Sequence, residues 1–184
     1  MNTAQPIKDR RLLQELMEVY SYGTKNYTLI AFALNTGLRI SDILRANVAD
    51  SLDGMWVERE QKTGKEKVVK LSPALVKVVS DYVGTEQIEV SNISPLFYSQ
   101  VNKQRAISRV QAHRIIAHAG DQIGITLSAH SLRKTFGYVN YQGGTDISML
   151  MKVFNHSSVA TTLRYIGITQ DEIDNVYSNT RIGI

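Results

Sequence analysis

Residues 128–166 read SAHSLRKTFGYVNYQGGTDISMLMKVFNHSSVATTLRYI. Four side chains suited to handling a phosphodiester fall in this stretch at short intervals: His130, Arg133, His156 and Tyr165. His130 and Arg133 are three apart, so on a helix they share a face and can reach one anion together. His156 is followed by Ser157 and Ser158, either of which can cap a helix carrying Tyr165. Tyr165 closes a run of Thr and Leu, from which a phenol can point off the helix towards the basic pair. Each residue has an ordinary structural reading by itself. The chain holds nine tyrosines, most of which must be packed, amphipathic side chains, and a lone histidine is more often structural than catalytic. The combination points to a tyrosine nucleophile.

The rest of the chain is consistent with one globular domain. Its 184 residues suffice for a single full core and are too few for two ordinary domains. The longest apolar run, residues 29–34, is far too short to span a bilayer, and no signal peptide is visible at the N-terminus. Cysteine is absent, which removes disulfide and thiolate chemistry and permits a reducing cytoplasmic setting. A net charge of +4 is modest, but its distribution is uneven. Between Val90 and Thr145 the only acidic residue is Asp121, whereas Lys103, Arg105, Arg109, Arg114, Arg133 and Lys134 fall there. A basic surface beside the proposed site is expected, with Lys103, Arg105, Arg109 and Lys134 as candidate DNA contacts.

Outward from the signature, the pattern predicts a mixed α+β domain, mainly helical, with one small antiparallel hairpin. Asp9 can cap a first helix bearing a Leu12, Leu13, Leu16, Met17 and Tyr20 stripe. A second helix over 25–35 stops at Thr36 and Gly37, glycine suiting a left-handed cap. From Met55 the period becomes two: residues 55–60 and 67–71 read as strands joined by Lys62-Thr63-Gly64-Lys65. Ser72 and Pro73 start another helix. A helix over 108–123 should bury Val110, Ile115, Ile116 and Ala119, leaving Arg109, His113, Arg114 and His118 outside. His113 and His118 are five apart, the wrong spacing for a helical metal pair, and no H-E-x-x-H occurs, so no metal or cofactor is expected. Thr169 to Glu172 form a capping box for a last helix with Ile173, Val176 and Tyr177.

The signature resembles that of the tyrosine recombinases, the phage integrase family: H-x-x-R, an x-G-H-[ST] turn, then T-x-x-x-Y. Here these are His130-Ser131-Leu132-Arg133, Asn155-His156-Ser157 and Thr161-Thr162-Leu163-Arg164-Tyr165, with the family's usual nine-residue step from His156 to Tyr165. Gly37-Leu38-Arg39-Ile40-Ser41-Asp42-Ile43 is similar to the family's G-[LM]-R-x-[ST]-E-[IL], which makes Arg39 the first catalytic arginine and lets Asp42 brace it or the start of its helix. Asn155 replaces the usual glycine; if that position has positive φ, Asn is the best substitute. The family's mobile hairpin carries a lysine, matched here by Lys62.

The resemblance covers essentially the whole chain, but only as the catalytic domain; the N-terminal core-binding domain of most members is not found in residues 1–184. It implies a site-specific recombinase acting on double-stranded DNA and self-associating there, as a tetramer in synapsis. Arg39, Arg133 and His156 would bind the phosphate oxygens. His130 would act as base for Tyr165, whose pKa the two arginines would lower, and Lys62 would protonate the departing 5′-hydroxyl. The product would be a 3′-phosphotyrosyl DNA. Two other readings remain at this level: a catalytically silent DNA-binding regulator on the same scaffold, and type IB topoisomerase-like relaxation. Tails such as the last helix commonly dock on the next protomer in the family, while a short apolar helix can equally fold onto its own domain.

Overall fold

The computed structural model describes residues 4–59 and 66–182. The first helix, α1 (Arg10–Glu18), begins where the Asp9 side chain accepts a hydrogen bond from the Arg11 amide. The second, α2 (Lys25–Thr36), is capped by Thr24 and ends at Gly37 in the left-handed conformation, φ 59°. Its sequence is apolar on nearly every face, and accordingly Leu29, Ile30, Ala31, Phe32 and Ala33 are all buried. A helix apolar all round belongs at the centre of a fold, and α2 is the axis on which the others pack. Glycine is required at position 37: besides the positive φ, a Cβ there would collide with the Phe136 ring.

Two short helices, α3 (Ile40–Ile43) and α4 (Val48–Leu52), lead into a two-stranded antiparallel sheet. Its strands are β1 (Met55–Arg59) and β2 (Glu66–Lys70), in a register from Met55 opposite Lys70 to Arg59 opposite Glu66. The expected turn, with Lys62, lies outside the described residues. Helix α5 (Pro73–Thr85) has Ser72 as its cap and Pro73 in its first turn, as anticipated. Leu96, Phe97 and Tyr98 then run through the core, bonded to neighbouring segments at the Asn47–Pro95 and Tyr98–Ala106 bridges.

Helix α6 (Arg109–Gln122) corrects one expectation. Val110 is exposed, and Ala112 takes the inward place beside Ile115, Ile116 and Ala119. Val110 stands two residues before Ala112, so the 3.6-residue repeat that turns Ala112, Ile115, Ile116 and Ala119 inward turns it outward. Helix α7 (Ala129–Gln142) starts at a capping box in which Ser128 and Ser131 serve each other's backbone. It is followed by α8 (Ile147–Phe154), α9 (Val159–Tyr165) and α10 (Gln170–Asn179), the last opened by the expected Thr169–Glu172 capping box. The Ile173 and Val176 side chains, read as the apolar face of this helix, lie outside the described ones; Tyr177 is exposed.

The core divides in two. A large cluster runs from Ile7 through α2, α5 and α6 to Leu132. A small one comprises Leu150, Phe154 and Ile166, flanked by Phe136, Tyr138 and Tyr165 among others. Helix α7 is the shared wall, with Leu132 in the first and Phe136 against the second. At Gly137 a Cβ would stand 2.6 Å from Ile166 and 2.7 Å from Phe154, so the small cluster can seat only against a bare backbone.

Candidate active site

The two clusters meet at an open cavity of about 390 Å³ lined by Arg39, Ser41, Arg109, His130, Arg133, His156 and Tyr165, with Ile40 and Ala129. Five of the six residues assigned a catalytic role from sequence therefore converge; the sixth, Lys62, lies outside the described residues. Arg39 arrives first. After the left-handed Gly37, Leu38 buries its side chain and the extended Arg39 precedes α3, leaving its guanidinium exposed at the cavity. Asp42 does not pair with Arg39. It sits in the first turn of α3, where its carboxylate accepts from Arg45 at 3.0 Å and from Ser41 at 3.2 Å.

Arg133 is 7% exposed, deep for a cation with no carboxylate ion pair among the described residues. Its guanidinium donates to the Gly37 carbonyl and, at 3.4 Å, to the Phe154 carbonyl. It also lies 4.7 Å over the Phe154 ring and shares the cavity with the Tyr165 phenol. Backbone oxygens and a π-face thus stand in for a counter-ion. Burial pulls its pKa below the ordinary arginine value; the Tyr165 phenol and Asp42 oppose that pull, and Arg39 adds to it. An anion entering the cavity would relieve both effects.

The Phe154-Asn155-His156 turn has the geometry expected of it. Asn155 takes φ 57°, closing α8 in the left-handed conformation, and the His156 amide bonds back to Met151. Ser158, rather than Ser157, caps α9. Tyr165 ends α9 with its ring 4.9 Å from the His156 ring, edge to face, and 5.2 Å from Phe154. Burial raises the phenol's pKa, although Arg133 and Arg39 act to lower it. The arginines pull in the expected direction, but removal from water outweighs their field. His156 titrates below its usual range, chiefly through burial, with Arg133 and Arg39 contributing. His130 is exposed at the start of α7 and faces the cavity.

The four candidate DNA contacts separate. Arg109 lines the cavity itself. Lys103 and Arg105 lie on the turn between Tyr98 and Ala106, with the Lys103 ammonium 5.6 Å over the Tyr98 ring. Lys134 is half-buried; its ammonium donates to the Ala4 carbonyl at 2.6 Å and sits 5.4 Å over the Tyr165 ring. Sequence reasoning missed two contributors. Phe154 underlies Arg133, His156 and Tyr165 at once. Thr162, fully buried, is bonded to His156; the doubled threonine before Tyr165 was the available signal.

Residues 9–172 match the phage integrase family. The chain is 35% identical over 175 residues to the probable integrase/recombinase YoeC of Bacillus subtilis, covering 93% of each. It is 27% identical over 169 residues to tyrosine recombinase XerC of Pelobacter propionicus, covering 90% of this chain and 55% of that one. Among solved structures, XerA recombinase superposes with a TM-score of 0.77 at 22% identity, over 99% of this chain and 66% of that one. XerH, bound to a palindromic difH substrate in a post-cleavage complex, gives 0.72 at 18% identity, over 97% and 54%. The chain belongs to the phage integrase family, and its fold is that of the tyrosine recombinase catalytic domain. It spans nearly all of the Bacillus relative and about half of the XerC relative. Among the described residues, no helix is long and apolar enough to cross a membrane.

Proposed function

We propose that this chain is a site-specific recombinase that cleaves and rejoins DNA through a 3′-phosphotyrosyl intermediate, with residues 1–184 acting as one catalytic domain. The observation that carries the reading is the Tyr165 phenol set in one cavity with Arg39, His130, Arg133 and His156. A scissile phosphate entering there meets two guanidiniums and an imidazole, donors suited to the charge that builds on its non-bridging oxygens. Tyr165 attacks phosphorus. Because a phenol is ordinarily protonated at neutral pH and burial raises its pKa further, attack needs a base, and His130 takes the proton. The 5′-oxygen leaves with a proton from Lys62. The phosphotyrosyl bond then reacts with a second 5′-hydroxyl, so joining requires no separate energy source. Self-association on DNA, as a tetramer, brings the second strand within reach. Arg109, Lys103, Arg105 and Lys134 add affinity for the backbone, which should fall steeply with salt.

The test is incubation with a nicked duplex of the target site, whose short cleaved strand diffuses away and leaves the adduct trapped. Denaturing electrophoresis should show a protein–DNA species. Lys62→Ala should lose it on ordinary DNA and recover it when the leaving group is a 5′-thiol, which needs no proton. No adduct from the unaltered chain would refute cleavage; absence of selective sulfur rescue would remove Lys62 from the mechanism.

A further inference from the structure

His156 and Tyr165 are held together by one residue to which no role has been given. Thr162 lies on α9, three residues before Tyr165, and is fully buried. Its Oγ1 is 3.1 Å from His156 Nδ1 and 3.2 Å from the Ser158 carbonyl, to which it donates. A hydroxyl has one proton and two lone pairs. With that proton committed to Ser158 in the back-bond common for threonine in helices, Oγ1 can only accept from the imidazole. Nδ1 must then carry a hydrogen. The state of one ring nitrogen is set by the bond the other makes, so a neutral His156 reaches the cavity with a bare Nε2.

We propose that Thr162 is a positioning residue that fixes His156 in its Nδ1–H form, so that Nε2 takes up a proton from solvent when a phosphate binds and then donates it as a hydrogen bond to that phosphate. The inference rests on the reading of His156 as a phosphate ligand. It adds that this ligand is proton-linked, neutral before DNA arrives and cationic after. The surroundings favour this order. Arg133 from α7 and Arg39 ahead of α3 face the ring and, with burial, disfavour a cation in the free protein. Among the described residues, Tyr165 from α9, His130 from α7 and Arg109 from α6 complete the cavity's titratable and charged lining, and no carboxylate lines it. A bound phosphate supplies the missing negative charge. Because Thr162 already accepts from Nδ1–H, the ring can protonate at Nε2 without any hydroxyl turning round. Since Thr162 and Tyr165 share α9, the nucleophile and the ring are placed by one rigid element.

The test is nitrogen-15 NMR of the histidine rings, which separates the two neutral forms. His156→Gln (H156Q) identifies the signal among the four histidines. The unaltered protein without DNA should show His156 as the Nδ1–H form above its titration. Thr162→Val (T162V), nearly the same shape without an acceptor, should move it to the Nε2–H form, and Thr162→Ser (T162S) should restore the original. On nicked duplex, T162V should slow adduct formation at least tenfold and shift the alkaline limb of the pH profile downward, because the cation has lost an acceptor. T162S should return both. An Nε2–H ring in the unaltered protein would overturn the proposal even if T162V fails to fold. So would a ring state unchanged by T162V. If no adduct forms with any variant, the cleavage reading fails, and the NMR result still decides what Thr162 does.

Discussion

The two apolar clusters differ in size and in what they hold. The large one, around α2, carries Arg39 just beyond its left-handed cap and buries Leu132 beside Arg133. The small one, built on Leu150, Phe154 and Ile166, carries His156 and Tyr165. The two arginines thus grow from the heavy scaffold, and His156 and the proposed nucleophile Tyr165 from the light one. Arg133 joins the halves, donating to the Gly37 carbonyl on one side and the Phe154 carbonyl on the other. Fewer buried contacts should let the light half open at lower free energy. A nucleophile that must be seated for attack and released for strand exchange gains from such a mount.

The largest effect expected within this comparison separates the two arginines. Arg133→Ala and Arg39→Ala should each lower adduct formation by orders of magnitude, roughly 10²–10³-fold for one lost donor. Only Arg133→Ala should also lower the melting temperature, because it breaks the join and orphans two backbone carbonyls. Arg39 is exposed, so its removal should change stability by no more than about 0.5 kcal/mol. Equal stability losses would mean that Arg133 is no structural join.

A smaller effect distinguishes the clusters. Phe32→Leu should lower global unfolding free energy by about 1 kcal/mol or more, since Phe32 is fully buried in the large core. Phe154→Leu should lower it less, yet reduce hydrogen-exchange protection in α9 and slow cleavage roughly tenfold by loosening Tyr165. Matching global losses, with α9 protection unchanged in Phe154→Leu, would show one cooperative core in place of two.

Much of this arrangement was legible in the sequence, for identifiable reasons. Caps and turns are local, so Asp9, Gly37, Ser72 and the Thr169–Glu172 box could be placed by their neighbours alone. The convergence of Arg39, His130, Arg133, His156 and Tyr165 on one cavity was legible because chemistry restricts both residue type and spacing. Contacts between distant residues were not. Nothing near Lys134 signals that its ammonium meets the Ala4 carbonyl 130 residues away, nor does anything near Lys8 announce its 2.7 Å ion pair with Glu172. The burial that outweighs the arginines at Tyr165 was not legible for the same reason: proximity of arginines can be read from a signature, whereas depth of burial depends on Phe154 and its neighbours.

The smallest effect expected concerns acid. His156 titrates below its ordinary 6.5 in the folded protein, so the unfolded chain binds its proton first as pH falls. Native stability should therefore decline from about pH 7 down through 6.5 towards the folded value, and stay level below it as far as this group is concerned. His156→Gln, which keeps the other three histidines, should show a shallower decline between pH 7.5 and 5.5 in thermal melts. An identical slope would mean that the environment of His156 disfavours its cation no more than water does.

The most direct measurement of the central claim is peptide mapping of the trapped adduct. After digestion, mass spectrometry should find the nucleotide on the peptide containing Tyr165 and on no other of the nine tyrosines, with Tyr165→Phe giving no adduct while still binding the duplex. A nucleotide on any other residue, or an adduct that survives Tyr165→Phe, would contradict the assignment of Tyr165 as nucleophile.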